Sequence, residues 1–519
     1  CKRYQTVALA CANITRKPPG TFHEGVQWLW FFMMAERMDC GGNGYGRLDQ
    51  YHFPLYEKDV AAGVLTKTGA RELIAELFLK NGTFFSLGGR LRDGSDATNE
   101  LSWICLEAYD MIGGMMMLGA MWHGDVDAKF IKYAGAIMAR HGNGSVALVN
   151  QDVLRDSEIR YGVAPQDAWN TAYSGCFWYC VPGKEWCSHD TLSLSGIKCF
   201  MNALEEGFSA GINSMSDVWT LYDKHVDLAV QALKRQTDWQ FEQIPMVWPE
   251  FITSLLTHGC IESGRDISDC GVSYNTSVVQ FSGLANIADS MIAIQKCVFE
   301  DQLFDIETLR KALSVNFEGF ERIRQNLLNC PKFGDDEEEV TSVAARITDH
   351  YRSALSRYRN CKGFRYRPAF FSWAGHAYAE TILGATPDGR RKEQPIAQGA
   401  NPSHHQGAKG VTAMANSVSV ADFSKNAGGQ LQLEFDPSFL DVSDPGLIVS
   451  GLAKGYFEKD GPLVLLNVVS AETLRNAVES PEEYGHIVVR VTGFAAHFVQ
   501  LDRKIQEEII SRTRYTATT

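Results

Sequence analysis

Residues 490–496 read Arg490-Val491-Thr492-Gly493-Phe494-Ala495-Ala496, and this stretch decides how the rest of the chain is interpreted. The β-branched run at 487–491 predicts a buried strand that leads into it. A glycine at the end of a strand is typical of a tight turn, or of a place where another group approaches the backbone closely. A helical pattern follows and ends near Arg512. Taken alone, Gly493 is an ordinary turn glycine. Whether it also has a chemical role depends on what the other parts of the chain indicate.

Composition places the chain among globular proteins. It has 519 residues, of which 45% are hydrophobic and 21% charged. This length allows about three ordinary domains or one large one. The net charge of −13 argues against nucleic acid or an anionic membrane as a partner. The most apolar run, 26–34, is much shorter than the ~18 residues of a membrane helix.

The cysteines indicate a reducing compartment. Thirteen of them are scattered along the chain as far as Cys361. An odd number in a long chain is not the pattern of a small secreted scaffold held by disulfides. We therefore expect free thiols and a cytoplasmic protein.

Helical and strand patterns alternate along the chain, which predicts an α/β fold with buried parallel strands. Periodicity predicts helices at 97–118 and 278–300, and strands at 146–150 and 463–468. The irregular stretch at 386–410 is rich in glycine and proline, and long loops of this kind are often functional.

Several blocks of the sequence resemble those of one known family. They are, in chain order, 46–51, 93–100, 283–290, 384–391, 416–418 and 490–496. On these blocks the chain resembles the glycyl radical enzymes of the pyruvate formate-lyase-like family, in their dehydratase/decarboxylase-like branch. The resemblance covers nearly all of the chain, and a set of ordered blocks is far more specific than one glycine.

The resemblance implies a ten-stranded α/β barrel, made of two five-stranded half-barrels and surrounded by helices. A cysteine loop and a glycine loop are expected inside the barrel, tip to tip. We expect 1–380 to form the barrel domain and 381–519 the C-terminal glycine radical domain. Family members carry a further segment ahead of the region that matches here, so we expect the chain to be truncated at its N-terminus.

By the same resemblance, Gly493 is the radical site. The Cα of glycine carries two hydrogens and no side chain, and the flanking amide and carbonyl groups delocalise an unpaired electron. The backbone then acts as the cofactor, so no cofactor is bound permanently. The family also implies a separate activating enzyme that uses S-adenosylmethionine and an iron–sulfur cluster, a homodimer, and anaerobic metabolism.

The partner of the glycine is expected to be Cys176, because Gly175-Cys176 matches the family's Gly-Cys turn. A thiol suits the relay because its S–H bond is close in strength to the glycine Cα–H and substrate C–H bonds. A metal site at Cys176, Cys180, Cys187 and His189 is the other interpretation. Their spacing differs from the tight pairs of zinc and iron–sulfur sites, so we expect no metal.

His189 and Asp190 follow the candidate cysteine in the sequence. In dehydratases of this family a His-Asp pair lines the substrate pocket, and the aspartate accepts hydrogen bonds from hydroxyl groups. The resemblance therefore makes both residues candidates for substrate binding. Two structural interpretations stay open: Asp190 could be the N-cap of a helix at 191–205, and His189 could be a hydrogen-bonded structural histidine.

Trp178 departs from the family pattern. Lyases of this family place a glutamate two residues after the radical cysteine, where it transfers protons beside the substrate. Here the position is tryptophan, between Phe177 and Tyr179. The adjacent cysteine pair of pyruvate formate-lyase is also missing, and Thr191 stands at one candidate position for the arginine of fumarate-adding synthases. The aromatic turn predicts an apolar pocket and a flat or hydrophobic substrate.

The function implied is that of a radical lyase acting on a small organic acid or alcohol. Cys176 passes its hydrogen to Gly493 and abstracts another from the substrate. The substrate radical then loses a C–C or C–heteroatom bond, and the thiol returns a hydrogen. One alternative is radical C–C bond formation onto fumarate, as in alkyl- or arylsuccinate synthases. Another is a non-catalytic paralogue that has kept only the fold.

Overall fold

The computed structural model describes residues 2–39, 44–80, 84–176, 178–187, 192–404, 409–512 and 514–516. The chain divides into two compact units. The first comprises Cys1–Trp186, Ile244–Asn275 and Ser443–Gly451, and the second comprises Cys187–Gln243, Thr276–Val442 and Leu452–Thr519. Among the described residues, no helix is both long enough and apolar enough to cross a membrane.

Helices make up most of the regular structure. In chain order they are α1 (Lys2–Ile14), α2 (Phe22–Asp39), α3 (Leu48–Tyr51), α4 (Phe53–Ala61), α5 (Lys67–Leu79), α6 (Glu100–Ile112), α7 (Ala128–His141), α8 (Gln151–Tyr161), α9 (Pro165–Ala168), α10 (Gly196–Ala210), α11 (Met215–Val247), α12 (Phe251–Leu255), α13 (Cys260–Ser263), α14 (Leu284–Ile294), α15 (Ile306–Ser314), α16 (Glu321–Leu328), α17 (Glu338–Ser356), α18 (Val411–Ser419), α19 (Pro445–Phe457), α20 (Ala471–Glu479) and α21 (Arg503–Ser511).

The strands are short, and most of their residues are buried. They are β1 (Gly44–Arg47), β2 (Phe84–Gly88), β3 (Met117–Trp122), β4 (Val146–Asn150), β5 (Ala172–Tyr173), β6 (Tyr179–Cys180), β7 (Glu185–Cys187), β8 (Ser193–Ser195), β9 (Tyr274–Ser282), β10 (Tyr366–Phe370), β11 (Leu431–Phe435), β12 (Leu463–Val468), β13 (Val488–Arg490) and β14 (Ala495–His497).

The first unit is built on a parallel sheet in the order β1-β2-β3-β4. Every residue of β4 is buried. This strand is the predicted apolar run at 146–150, so that prediction is confirmed. A continuous apolar run is what a parallel strand needs when both of its faces are covered.

The helix predicted at 97–118 is shorter than expected. Helix α6 ends at Ile112, and the chain turns into β3 at Met117. Gly113 and Gly114 have φ values of 63° and 111°, a conformation that glycine adopts far more readily than other residues. The apolar residues beyond them therefore belong to the sheet, and the prediction was wrong over its last third.

The second unit contains two parallel arrangements. In one, β9 pairs with both β8 and β10. In the other, β11 pairs with β12, with Leu431 opposite Val464. Strand β12 coincides with the strand predicted at 463–468, which is confirmed.

The helix predicted at 278–300 combines three elements. Its first residues belong to β9, where Val278 and Val279 pair with β10. Gly283 then turns the chain with φ of 90°, and a Cβ there would lie 2.6 Å from Cβ of Ile197. Helix α14 begins only after this glycine, and a π-helical turn at Gln295–Glu300 continues it. β-branched residues fit a helix less well than a sheet, so the first part of the prediction was wrong.

Candidate active site

Cys176 lies in a tight turn of the first unit. Strands β5 and β6 pair antiparallel, with Tyr173 opposite Tyr179. Within the turn, the amide of Ser174 donates a hydrogen bond of 3.2 Å to the carbonyl of Trp178. The side chain of Cys176 is buried, as a thiol needs if water and oxygen are to be kept away from it.

Tyr173 attaches this turn to the first unit's sheet. Ser86 on β2 accepts a hydrogen bond of 2.9 Å from the Tyr173 amide and donates one of 3.3 Å to its carbonyl. The Tyr173 ring packs edge-on against Phe84 at 5.7 Å between centroids. Its hydroxyl donates a 3.1 Å hydrogen bond to the carbonyl of Cys176. The backbone of the cysteine is thus tied to the sheet through Tyr173.

Gly175 has a packing role beside the thiol. A Cβ at this position would lie 2.0 Å from Nε1 of Trp178, which is closer than any two atoms can approach without a shift. The indole therefore lies directly against the backbone next to Cys176, and Trp178 is only 2% exposed. Glycine before the cysteine is needed here because the tryptophan occupies the space of a side chain.

Gly493 lies at the tip of a hairpin in the second unit. Strands β13 and β14 pair antiparallel, and the amide of Val491 donates a 2.9 Å hydrogen bond to the carbonyl of Phe494. Val491, Thr492 and Gly493 are buried, whereas Phe494 is 42% exposed. The predicted strand and turn are therefore both present.

Amide side chains hold the backbone just ahead of the glycine. The carbonyl of Arg490 accepts hydrogen bonds from Asn467 (3.1 Å) and Gln432 (3.2 Å). Its amide donates a 2.7 Å bond to Oδ1 of Asn467. The carbonyl of Val491 accepts a 3.2 Å bond from Gln398. These buried amides satisfy backbone groups that a hairpin outside a larger sheet would otherwise leave unpaired.

Arg512, just after α21, binds the same two carbonyls. Its guanidinium donates to Arg490 O at 3.0 Å and to Val491 O at 2.5 Å. It also pairs with two buried carboxylates, Glu508 at 2.8 Å and Glu434 at 2.8 Å. The planar fork of arginine suits such a multiple contact, and a lysine could not reproduce it.

Two histidines complete this network at Glu508. His376 Nε2 lies 3.1 Å and His404 Nε2 2.9 Å from the same carboxylate oxygen. Burial alone would raise the pKa of Glu508, but Arg512 and His376 hold it well below its usual value. Burial likewise lowers the pKa of Arg512, and the two carboxylates raise it above its usual value. The pair is therefore ionised at neutral pH.

The structure places some of the predicted site residues and not others. Cys176 and Trp178 lie in the first unit and Gly493 in the second. Phe177, His189, Asp190 and Thr191 lie outside the described residues.

The helix that Asp190 was expected to cap begins later than predicted. Helix α10 starts at Gly196, and its N-cap is Ser195, whose hydroxyl accepts from the amide of Lys198. Residues 193–195 form β8 and pair with β9, which keeps them extended. The structural alternative for Asp190 was therefore wrong.

Sequence reasoning missed the residues that hold the glycine hairpin. Arg512 ends the helical pattern that follows the motif, and its spacing of four from Glu508 is the helical ion-pair spacing, so both were detectable. Gln432 and Glu434 alternate with leucines in a buried strand, which is a weaker signal. Among the described residues, no group of His, Cys, Asp and Glu could hold a metal ion.

Comparison with known families assigns the chain. The sequence profile of the Pyruvate formate lyase-like family matches residues 2–380, and the Glycine radical profile matches residues 396–499. The chain therefore belongs to the pyruvate formate lyase-like family.

Individual relatives agree with this assignment. Trans-4-hydroxy-L-proline dehydratase of Clostridioides difficile is 29% identical over 98% of this chain and 70% of that protein. Isethionate sulfite-lyase of Nitratidesulfovibrio vulgaris is 26% identical over 99% of this chain and 67% of that protein. The glycerol-bound structure of B12-independent glycerol dehydratase from Clostridium butyricum has a TM-score of 0.94 at 28% identity, covering 98% of this chain and 69% of that one.

The class of the protein follows from these findings. The fold is the α/β fold of the glycyl radical enzymes. The chain is an enzyme of the radical lyase type, and the alternative of fumarate addition is not favoured. Its radical is carried by the protein itself, without a permanently bound cofactor, and a glycine radical domain implies a separate activating enzyme.

Proposed function

We propose that Gly493 carries the radical and that Cys176 relays it to the substrate. The observation that carries this proposal is the buried hairpin tip, whose preceding carbonyls are held by Arg512. A radical on a glycine Cα is shared with the neighbouring peptide groups, so their orientation has to be maintained. Fixed donors at the backbone provide this without placing a side chain near the reacting carbon.

The proposed reaction consists of four hydrogen-atom transfers and one bond cleavage. The Gly493 radical takes the hydrogen atom of the Cys176 thiol, which leaves a thiyl radical. The thiyl radical takes a hydrogen atom from a substrate C–H bond, and the substrate radical loses a neighbouring C–C or C–heteroatom bond. The product radical then takes the hydrogen back from Cys176, and the thiyl radical so formed takes a hydrogen atom from the Cα of Gly493, which regains the unpaired electron. Each turnover therefore restores both groups.

The substrate is proposed to be a small organic acid or alcohol with an apolar or aromatic part. Relatives are named for hydroxyproline and isethionate, which are small organic molecules. Support for an apolar part comes from Trp178, whose buried indole lies beside the thiol turn where family lyases have glutamate. His189 and Asp190 are proposed to bind the polar end of the substrate.

The remaining assignments follow from the family. We place the glycine radical domain at 381–519 and the barrel domain at 1–380. The proposed activating enzyme uses S-adenosylmethionine and an iron–sulfur cluster, and the enzyme is proposed to be a cytoplasmic homodimer. Size-exclusion chromatography with light scattering tests the last point, since a monomer mass would contradict it.

Electron paramagnetic resonance after anaerobic activation tests the radical assignment. The wild-type protein should give a doublet, because one α-hydrogen remains on the Gly493 radical. Gly493→Ala should give no such signal while its circular dichroism stays unchanged. A doublet that persists in this variant would place the radical elsewhere.

Cys176→Ser separates the two roles. Radical formation at Gly493 does not need the thiol, so the doublet should remain, whereas product formation should be lost. Cys180→Ser is the matched control, because that cysteine lies at the end of the same turn and is assigned no role. Turnover by Cys176→Ser would contradict the relay.

A further inference from the structure

Two free cysteines of the second unit lie against each other. Cys297 is in the π-helical turn Gln295–Glu300 that follows α14, and Cys330 follows the end of α16. Their sulfur atoms are 3.5 Å apart, although 33 positions separate them in the sequence. The radical mechanism uses neither of them.

Their surroundings make the two thiols unequal. The hydrogen bond from Cys297 lowers the pKa of Cys330 to about 7, with further lowering by Lys332 and Lys296. The same hydrogen bond, together with burial, raises the pKa of Cys297. Lys332 is itself buried and held in place, since its ammonium donates to the carbonyls of Leu327 (2.9 Å) and Asp388 (3.0 Å). Lys332 acts on both sulfur atoms, so this fixed cation favours a thiolate within the pair, and the lowered pKa places that thiolate on Cys330.

The same side of the second unit contains a cavity of about 710 Å³. Asn329 and Lys332, on either side of Cys330 in the sequence, both line it. Cys330 is 9% exposed and Cys297 2%. Cys330 is therefore the more exposed of the two thiols, and it lies in the sequence between residues that line the cavity, so it is the thiol that a molecule the size of hydrogen peroxide would reach first.

We propose that Cys330 and Cys297 form a redox-active dithiol that closes to a disulfide on reaction with hydrogen peroxide. In the first step the Cys330 thiolate attacks the peroxide O–O bond, which gives a sulfenic acid and releases hydroxide. In the second step the Cys297 sulfur attacks the Cys330 sulfur, the S–O bond breaks, and water leaves with the thiol proton. Two thiols are oxidised by two electrons, and one peroxide is reduced. A reactive thiolate beside a second, resolving thiol is the usual arrangement for this chemistry.

The disulfide would join the end of α14 to the end of α16. It would constrain the unfolded chain over a loop of 33 residues, so the oxidised protein should unfold at a higher temperature than the reduced protein. The radical mechanism does not use this dithiol, so its oxidation can be measured on protein that has not been activated.

The experiment uses the unactivated wild-type chain, purified anaerobically and treated with equimolar hydrogen peroxide. Remaining thiols are alkylated, and peptides are analysed by mass spectrometry with and without reduction. We expect a cross-linked pair of peptides containing Cys297 and Cys330, lighter by two hydrogen atoms than the sum of the reduced peptides. Cys361 is the internal control. It is exposed to the oxidant, but the partial burial of its thiol and the nearby Asp238 raise its pKa and so disfavour the reactive thiolate. Oxidation of Cys361 with Cys297 and Cys330 left reduced would overturn the proposal.

Single variants test the order of the two steps. In Cys297→Ser the resolving thiol is missing, so Cys330 should stop at the sulfenic acid and be captured by dimedone. In Cys330→Ser, Cys297 should be oxidised at least about tenfold more slowly, because it stays buried, which disfavours its thiolate and keeps peroxide from it. Equal oxidation of the remaining cysteine in both variants would contradict the assigned roles.

Discussion

The turn that carries Cys176 and the hairpin that carries Gly493 are held by different kinds of interaction. The cysteine turn is held by neutral groups: the Trp178 indole fills the space beside Gly175, and Tyr173 packs on Phe84 and donates a hydrogen bond to the Cys176 carbonyl. The glycine hairpin is fixed by charge and hydrogen bonds, with a buried arginine on its carbonyls.

The difference fits what each group has to do. A thiol that gives and takes hydrogen atoms should stay protonated, and apolar packing favours the neutral form. A backbone radical needs its peptide groups held in one orientation, and directional donors do this better than packing. Substitutions can therefore disrupt the cysteine turn and the glycine hairpin separately. The loss of stability or activity in each variant then indicates which contacts hold that segment.

The largest effect is expected at Arg512. Arg512→Gln leaves Glu508 and Glu434 buried without their cation, which should lower the free energy of unfolding by about 3–5 kcal/mol. The radical signal should fall with it, because Arg490 and Val491 lose a donor at their carbonyls. Urea unfolding and electron paramagnetic resonance measure the two effects.

Two further variants separate charge from geometry at this site. Arg512→Lys keeps the cation but not the fork, so it should restore more of the stability than of the radical yield. Arg503→Gln is the control, because the Arg503–Glu507 pair is exposed on both sides and should change stability by less than about 1 kcal/mol. A full radical signal in folded Arg512→Gln would show that the arginine does not position the glycine.

A smaller effect is expected on the cysteine side. Gly175→Ala forces a methyl group into the Trp178 indole and should cost about 1–3 kcal/mol of folding free energy. Turnover should fall even where the variant is fully folded, because Cys176 shifts with the turn. Kinetics on the folded variant measures this loss.

The control for this substitution is Gly451→Ala in α19. No atom lies within 4 Å of an added Cβ there, so stability should be unchanged or rise slightly. If Gly175→Ala behaves like Gly451→Ala, the indole is free to move and packing does not hold the turn.

The smallest effect is a pH dependence of opposite sign in the two units. Burial raises the pKa of Glu250 in the first unit to about 7. Between the usual value of 4.5 and 7 the folded state holds a proton that the unfolded state has lost, so this group makes folding more favourable as pH falls through that range. Glu508 has a lowered pKa, so its contribution is present above pH 4.5 and is lost as pH falls further.

Unfolding midpoints measured across this range should separate the two carboxyls. Glu250→Gln should make the unfolding midpoint depend less on pH above 4.5 and leave its pH dependence below 4.5 unchanged. Arg512→Gln should make the unfolding midpoint depend less on pH below 4.5, since Glu508 then loses the cation that lowers its pKa. An unchanged slope in Glu250→Gln would mean that its carboxyl is ionised at neutral pH.

Part of the fold could be predicted because local sequence was enough. The apolar runs 146–150 and 463–468 are short and follow turn residues, which favours a buried strand, and both are strands. The predictions at 97–118 and 278–300 failed at glycines, because periodicity averages over a window and does not respond to one residue with positive φ. Gly113 and Gly283 each end one element and begin another.

By itself, the sequence determined the family, the radical glycine and the cysteine as candidates, and the α/β class. Motif order and residue chemistry are local properties, so they can be read without coordinates. Only the tertiary structure decided what holds each group: that glycine precedes Cys176 because an indole occupies its side-chain space, and that Arg512 binds the carbonyls ahead of Gly493. Both depend on distances between segments that no local pattern encodes, since they arise when packing brings those segments together.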